Sequence, residues 1–325
     1  MSVALVGDIG GTNARFALWR NQQLETIEVY ACADYERPEQ AVTAYLARTG
    51  ESLDNIHAVC LACAGPVGEG DFRFTNNHWI INRERFCAEL GLRHLLLIND
   101  FTSMSWGVSK LREEDKVQVR KGTAHDNRAR LVIGPGTGLG VGSLIPLAGG
   151  RFMVLPSEGG HVDLPIGTPR EFEIWKILKR QFGNHVSAER VVSGNGLVNL
   201  YLASCELDGV EPTVDTAADI CELALSGDTY ADAVLEQFFV WLARVAGNAA
   251  LTLGALGGVY IAGGILPRFV ERFQNGAFAE AFAAKGKTSS AYLKDIPAWL
   301  VTAEHPGLYG AGVALEHAFD GDIYG

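Results

Sequence analysis

The sequence predicts an α/β protein of two domains, and three observations carry that expectation. The first is size: 325 residues, 48% hydrophobic and 20% charged, exceed what a single core usually organises. The second is alternation, with apolar runs SVALVGDI, RFALW, HAVCLACAG and HLLLIND separated by helix-like stretches at residues 38–48 and 83–90. The third is a polar segment, residues 112–130, that holds nearly all the charge runs of this half and reads as a surface connection with solvated charges. Beyond it a second α/β block opens at Leu131, with long helical patterns at 171–182 and 230–256.

Charge narrows the partners. A formal net charge of −11 and a pI near 5.2 oppose a phosphate backbone, so nucleic acid is not expected. Nucleotides stay open, because backbone amides and a bound cation hold phosphates without a basic surface. The opening MSVALVGDIGG lacks a basic n-region and reaches glycine quickly, unlike a signal peptide or anchor, so a cytoplasmic protein is expected. Residues 245–267 are uncharged and long enough to span a bilayer. Their six glycines divide them instead into a helix end, a turn and a short buried strand, VYIA, and no membrane partner is expected. Of the six cysteines, Cys60 and Cys63 form a C-x-x-C inside a strand, where positions three apart face opposite ways and cannot share a metal.

Residues 6–16 and 131–141 both read as strand, tight Gly/Thr turn, strand, with Gly11-Thr12 matching Gly136-Thr137. A true repeat implies two related domains, each presenting such a loop to a common cleft. In VGDIGGTNARFAL, spanning Gly7, Asp8, Ile9, Gly10, Gly11, Thr12 and Asn13, the glycines permit a tight turn and leave amides free for an anion, while Thr12 and Asn13 add side-chain donors. Asp8 suits a phosphate accompanied by Mg²⁺, held through water; the alternative is a glycine-rich hairpin with Asp8 as a turn residue. The second loop, VIGPGTGLGVGSL, includes Gly136, Thr137 and Gly138, and its alternate glycines leave one face of an extended chain bare. Gly263-Gly264 ends a buried strand before a helix near Arg268, a place for a ligand or a plain strand-to-helix turn. There is no G-x-x-x-x-G-K-[ST], complete G-x-G-x-x-G or H-R-D.

Together GDIGGTNARFAL, LLLINDFTS, GPGTGLGVG, LPSEGGHVDL, VSAERVVSGNGL and VYIAGGILPRF resemble the bacterial ATP-dependent glucokinases, within the sugar kinase, Hsp70 and actin superfamily, over essentially the whole chain. The resemblance implies a two-domain actin-like (ribonuclease H-like) ATPase fold with an interdomain active-site cleft. Residues 1–110, completed by 301–325 with a last helix near 308–319, would form the small domain and 111–300 the large one. It further implies ATP and Mg²⁺ as cofactors, glucose as the acceptor, glucose 6-phosphate for glycolysis as the product, and a homodimer. The related repressor/kinase family carries a cysteine-rich zinc motif beside its sugar-binding histidine. LPSEGGHVDL has no cysteine following it in that arrangement, so structural zinc is not expected.

Asn99 and Asp100 follow HLLLI and emerge at a strand's C-terminal end, where open α/β sheets place ligands, although Asn-Asp there is also a common turn or helix cap. By resemblance Asp100 is the catalytic base and, with Asn99, a glucose ligand. Glu158 and His161 have the E-x-x-H spacing of a metal pair, but two intervening glycines disfavour the helix it needs, and Glu and His suit vicinal hydroxyls. Glu189 reads as a first-turn glutamate complementing a helix dipole; by resemblance it is a third sugar contact. The segment TNNHW, residues 75–79, is expected near the cleft without an assigned role. A kinase for mannose or an N-acylated amino sugar is the alternative enzyme. A sugar-sensing regulator would carry an N-terminal helix-turn-helix, for which the first phosphate strand leaves no room.

Overall fold

A computed structural model describes residues 3–319 in two compact units, the first comprising the chain up to Leu111 and the segment from Ala303, the second Arg112–Thr302. In the first unit β1 (Val3–Ile9) turns into β2 (Asn13–Arg20) and β3 (Gln23–Ala31), all antiparallel. Helix α1 (Pro38–Thr49) starts with proline at its first position and stops at Gly50, whose φ of 72° is cheap only for glycine. There follow β4 (Ile56–Cys63), a two-stranded ribbon of β5 (Phe72–Arg73) and β6 (Ile80–Ile81), and α2 (Arg83–Leu90), capped by Asn82. Strand β7 (His94–Asn99) then runs straight into α3 (Asp100–Val108). The sheet order is β3-β2-β1-β4-β7, with β1, β4 and β7 parallel.

Because β1 and β4 are covered on both faces, they read as continuous apolar runs rather than alternating ones. Cys60 and Cys63 pack into different clusters on opposite faces, and both are free thiols. Fully buried Phe16, Tyr45 and Trp79 anchor one face, each of that size stabilising by roughly 1.5–3 kcal/mol.

The second unit opens with β8 (Lys116–Arg120), then β9 (Arg130–Pro135), β10 (Leu139–Pro146) and β11 (Phe152–Ser157). Helices α4 (Pro169–Phe182), α5 (Gly194–Asp208), α6 (Ala217–Leu225) and α7 (Thr229–Leu253) follow, before β12 (Val259–Ile261), α8 (Val270–Asn275), α9 (Phe278–Ala283), α10 (Lys287–Leu293) and β13 (Ala298–Val301). Its sheet runs β11-β10-β9-β12-β13-β8. The uncharged stretch 245–267 divides as its glycines require: α7 ends at Gly254, with φ 62°, and β12 follows. Among the described residues no helix is long and apolar enough to cross a membrane.

The polar segment 112–130 is only partly a connection. Its residues 121–128 are exposed, but Lys116–Arg120 form an edge strand in which Val119 is buried and Arg120 is 8% exposed. The Arg120 guanidinium donates to the carbonyls of Ile296 and Lys294 and lies over the Phe282 ring, so this charge staples the sheet edge instead of being solvated. Burial also holds the Arg120 pKa below its ordinary value. The signal was the period-two pattern of Val117 and Val119, hidden by the flanking charges.

The last helix, α11 (Pro306–Ala318), belongs to the first unit and packs against α3 and β1. Both sheets repeat one plan. Three antiparallel strands, β3-β2-β1 or β11-β10-β9, are followed by two parallel ones, β4-β7 or β12-β13, so the Gly-Thr match falls within a repeat of five strands, to which the second sheet adds the antiparallel edge strand β8.

Candidate active site

In the first unit the chemistry gathers where β7 becomes α3. Asn99 is the N-cap: its Oδ1 accepts from the amides of Phe101 (2.9 Å) and Thr102 (3.2 Å), while its Nδ2 donates to the Gly65 carbonyl (3.1 Å) and to Asp100 Oδ1 (2.9 Å). All four hydrogen-bonding positions of that amide are used inside the chain. Asp100 is therefore not the cap. Its Oδ1 accepts from Asn99 and from the Phe101 amide (2.9 Å), and Oδ2 has no hydrogen-bond partner among the described residues. Burial, opposed by the Phe101 amide and reinforced by the charge of Asp8, raises the Asp100 pKa to about 6.

Asp8 lies within β1, not in a turn, which removes the turn-residue alternative. It faces Arg15 across the β1–β2 ladder at 3.9 Å. Burial raises its pKa, and the charges of Arg15 and His305 oppose the rise. Asp8 and Asp100 line one pocket of about 260 Å³ with Arg15, Phe101, Met104, His305, Pro306 and Gly307. Of the remaining first-loop residues, Gly7 and Ile9 are paired within the sheet, and the Ile9 side chain is fully buried in the core. Gly10, Gly11 and Thr12 form the turn, closed by the Gly10 amide on Asn13 O (2.9 Å) and by the Cys32 amide on Thr12 O (2.8 Å). The 75–79 segment supports this turn: Asn77 Nδ2 donates to Gly10 O (3.2 Å), and Asn76 sits against Gly11.

Several residues here were not legible beforehand. His305 is the N-cap of α11 with φ 53° and ψ 43°, a left-handed conformation unusual for histidine. Its only sequence signal is the proline and glycine that follow it. The α3–α11 packing fixes the pocket floor. Ser103 Oγ donates to Gly307 O at 2.6 Å, and β-carbons at Gly107 or Gly310 would overlap the opposing backbone.

In the second unit Gly136, Thr137 and Gly138 form the β9–β10 turn. Gly263 stands beside it with φ 123°, against Pro135 O, and Gly264 is open on its side-chain face. Glu158 precedes and His161 ends a short 3₁₀ turn, Gly159–His161, with Oε2 and Nε2 3.6 Å apart and both side chains more than half exposed. Glu189 is not in the first turn of α5. It lies in a separate 3₁₀ turn, Ala188–Arg190, and its Oε2 accepts from the Leu139 amide at 2.8 Å. The antiparallel pairing of Asp163 with Ser187 brings these two turns side by side. The structure thus gathers Asp8 and Asp100 in one unit, and Glu158, His161 and Glu189 beside Gly136–Gly138 in the other.

The glucokinase family profile matches residues 5–318 of this chain. Glucokinase of Pseudomonas aeruginosa (strain LESB58) is 67% identical over 320 residues, covering 98% of this chain and 96% of its own. Glucokinase of Hahella chejuensis (strain KCTC 2396) is 46% identical, covering 97% of each. The crystal structure of a glucokinase from an Antarctic psychrotroph superposes with a TM-score of 0.85 at 35% identity, over 98% of this chain and 99% of that one. With the duplicated sheets and ordered motifs, these matches define a two-domain actin-like sugar kinase, and the chain belongs to the glucokinase family.

Proposed function

We propose that the chain transfers the γ-phosphoryl group of ATP to the 6-hydroxyl of glucose, with Asp100 as the general base. The observation that carries this reading is the division of labour at the start of α3. Asn99 caps the helix and holds Asp100 by Oδ1, which leaves Oδ2 available, while burial, helped by the charge of Asp8, outweighs the bonds from the Phe101 amide and Asn99 and raises the acid's pKa to about 6. A base that is ionised at neutral pH yet not far below it accepts a proton efficiently. As O6 bonds to the γ-phosphorus and the bond to ADP breaks, the O6 proton passes to Asp100 Oδ2. Phosphoryl transfer asks little more of the protein than this, positioning and charge neutralisation.

Glucose is assigned to Glu158, His161 and Glu189, whose carboxylates and imidazole suit neighbouring hydroxyls. Asn99 acts on it through Asp100, since its amide is already satisfied. The phosphates are assigned to the turns Gly10–Asn13 and Gly136–Gly138 and to Gly263-Gly264. Two carboxylates in one pocket, each with a raised pKa, fit a hydrated divalent cation, and Asp8 would hold Mg²⁺ through water. Bound there, Mg²⁺ neutralises charge on the transferring phosphates.

The reading includes a cytoplasmic enzyme feeding glycolysis and a homodimer of twice the 35.0 kDa chain mass, measurable by light scattering. The direct test is ADP release with ATP and Mg²⁺ across a hexose panel. Glucose should give the highest kcat/KM; a higher value for mannose or an N-acylated amino sugar, or ADP release independent of sugar, would overturn the assignment.

A further inference from the structure

We infer that Glu189 couples sugar binding to nucleotide binding, through the Leu139 peptide of the second glycine-rich loop. The inference rests on the proposed assignment of Glu158, His161 and Glu189 to glucose and of Gly136–Gly138 to ATP. Three contacts converge on this one peptide and its neighbours. The Leu139 amide donates to Glu189 Oε2 at 2.8 Å. A β-carbon at Gly138 would overlap that same carboxylate oxygen, so glycine there lets the loop and Glu189 meet. In the next peptide, a β-carbon at Gly160 would overlap the Leu139 carbonyl oxygen, which seats the turn carrying Glu158 and His161 directly on the loop. A second tie runs from the Gly194 amide to Gly136 O at 2.8 Å, and Ser193 Oγ bonds back to Glu189 O at 2.8 Å.

The consequence follows from the two ends of one carboxylate. Oε2 holds the loop, while Oε1 has no hydrogen-bond partner among the described residues and is the oxygen left for a sugar hydroxyl. A hydroxyl donating to Oε1 fixes the carboxylate and with it the Leu139 amide, so the nucleotide meets a loop already ordered. Ordering shared by two ligands produces positive coupling without a large rearrangement. By linkage the effect is reciprocal: the factor by which nucleotide tightens glucose equals the factor by which glucose tightens nucleotide.

The test is calorimetric titration of the full chain with glucose, with and without a saturating non-hydrolysable ATP analogue and Mg²⁺, and the converse titration. For the wild type each ligand should tighten the other by the same factor, about five- to twentyfold. Gly138→Ala displaces Glu189 from the amide without removing any atom assigned to glucose, and should bring the factor to within about twofold of one. Should that variant misfold, Glu189→Gln gives an independent reading, because a weaker neutral acceptor on the Leu139 amide must lower the factor whatever it does to glucose affinity itself. A wild-type factor near one, or a full factor retained in the variants, would overturn the coupling and leave glucose binding intact. Failure of the wild type to bind glucose at all would overturn the sugar assignment and the coupling together.

Discussion

Replacing Asp100 by asparagine separates a catalytic base from a structural carboxylate, because losing the base lowers the rate and relieves the fold, whereas losing a structural carboxylate lowers stability and spares the rate. The asparagine side chain keeps the shape and can keep an oxygen on the Phe101 amide, but it cannot take the O6 proton. Turnover should fall by about a hundred- to ten-thousand-fold, roughly 3–5 kcal/mol on the barrier, while glucose affinity changes only several-fold. Stability should rise. The folded pKa is about 6 against an ordinary 3.8, so keeping this carboxylate ionised in the fold costs at most about 3 kcal/mol at about 1.4 kcal/mol per pH unit. Partial exposure and the lost favourable charge at the first turn of α3 reduce the expected gain to about 1–2 kcal/mol.

The sign fixes the pH window. A raised folded pKa means that the protonated form favours folding below pH 3.8, and that this contribution disappears as pH rises through about 6. The stability gap between the variant and the wild type should therefore widen as pH rises from about 4 to about 6, stay constant above that, and close below about pH 4. Urea unfolding at a series of pH values, with turnover measured on the same preparations, provides both quantities. Loss of stability at neutral pH with turnover within a few-fold of wild type would refute the general-base assignment.

The other predictions use the same assays. In the wild type, kcat/KM for glucose should fall on the acid side with a midpoint near the Asp100 pKa of about 6, since this ratio reports the free enzyme; a flat profile down to pH 5 would count against the base. Glu158→Gln or His161→Ala should raise the glucose KM by about tenfold or more, the usual scale for a lost charged hydrogen bond, with little change in the ATP KM; equal effects on both substrates would remove them from the sugar site. Asp8→Ala should weaken Mg²⁺-dependent turnover while glucose binding without nucleotide stays near wild type, and an equal loss of both would mark Asp8 as structural. Gly310→Ala places a β-carbon against the Ser103 carbonyl and should cost about 1–3 kcal/mol, lowering kcat more than it raises KM, because Asp100 lies about one helical turn before Ser103 in α3. An unchanged kcat would show that the packing of α3 on α11 does not reach Asp100.

What the sequence made legible follows from how local each signal is. The α2 pattern at 83–90 coincides with the helix because Asn82 and Gly91 bracket it chemically, and the strand carrying Asp8 was plain because both faces are apolar. The edge strand β3 was not legible because QLETIEVYA intersperses its apolar residues with Gln23, Glu25, Thr26 and Glu28, and at the sheet edge even Ile27 and Val29 stay exposed. His305 was hidden for another reason. Its place beside Asp8 is set by α11 returning to the first unit more than 290 residues later, and no local pattern encodes that return. Glu189 was read as a helix-dipole partner because only the fold brings residue 139 to it.

Asn99 and Asp100, adjacent residues at a strand end, could each cap the following helix, and sequence alone left that open. The structure gives the cap wholly to Asn99, whose amide spends every donor and acceptor on the chain. Had the cap been aspartate, its negative charge would lie on the first amides of α3, its pKa would be depressed, and it would make a poor base near neutrality. With an uncharged cap in place, the next residue can be a carboxylate held by only one of its oxygens and pushed upward by burial and by Asp8. Asn99→Asp should thus keep the cap, but it loses both bonds donated by Nδ2, to Gly65 O and to Asp100 Oδ1, and adds a negative charge beside Asp100. The acid limb of kcat/KM should then move to higher pH, by about one unit or more for close carboxylates. A limb that stays in place would show that Asn99 does not set the Asp100 environment, and its role would reduce to holding the helix.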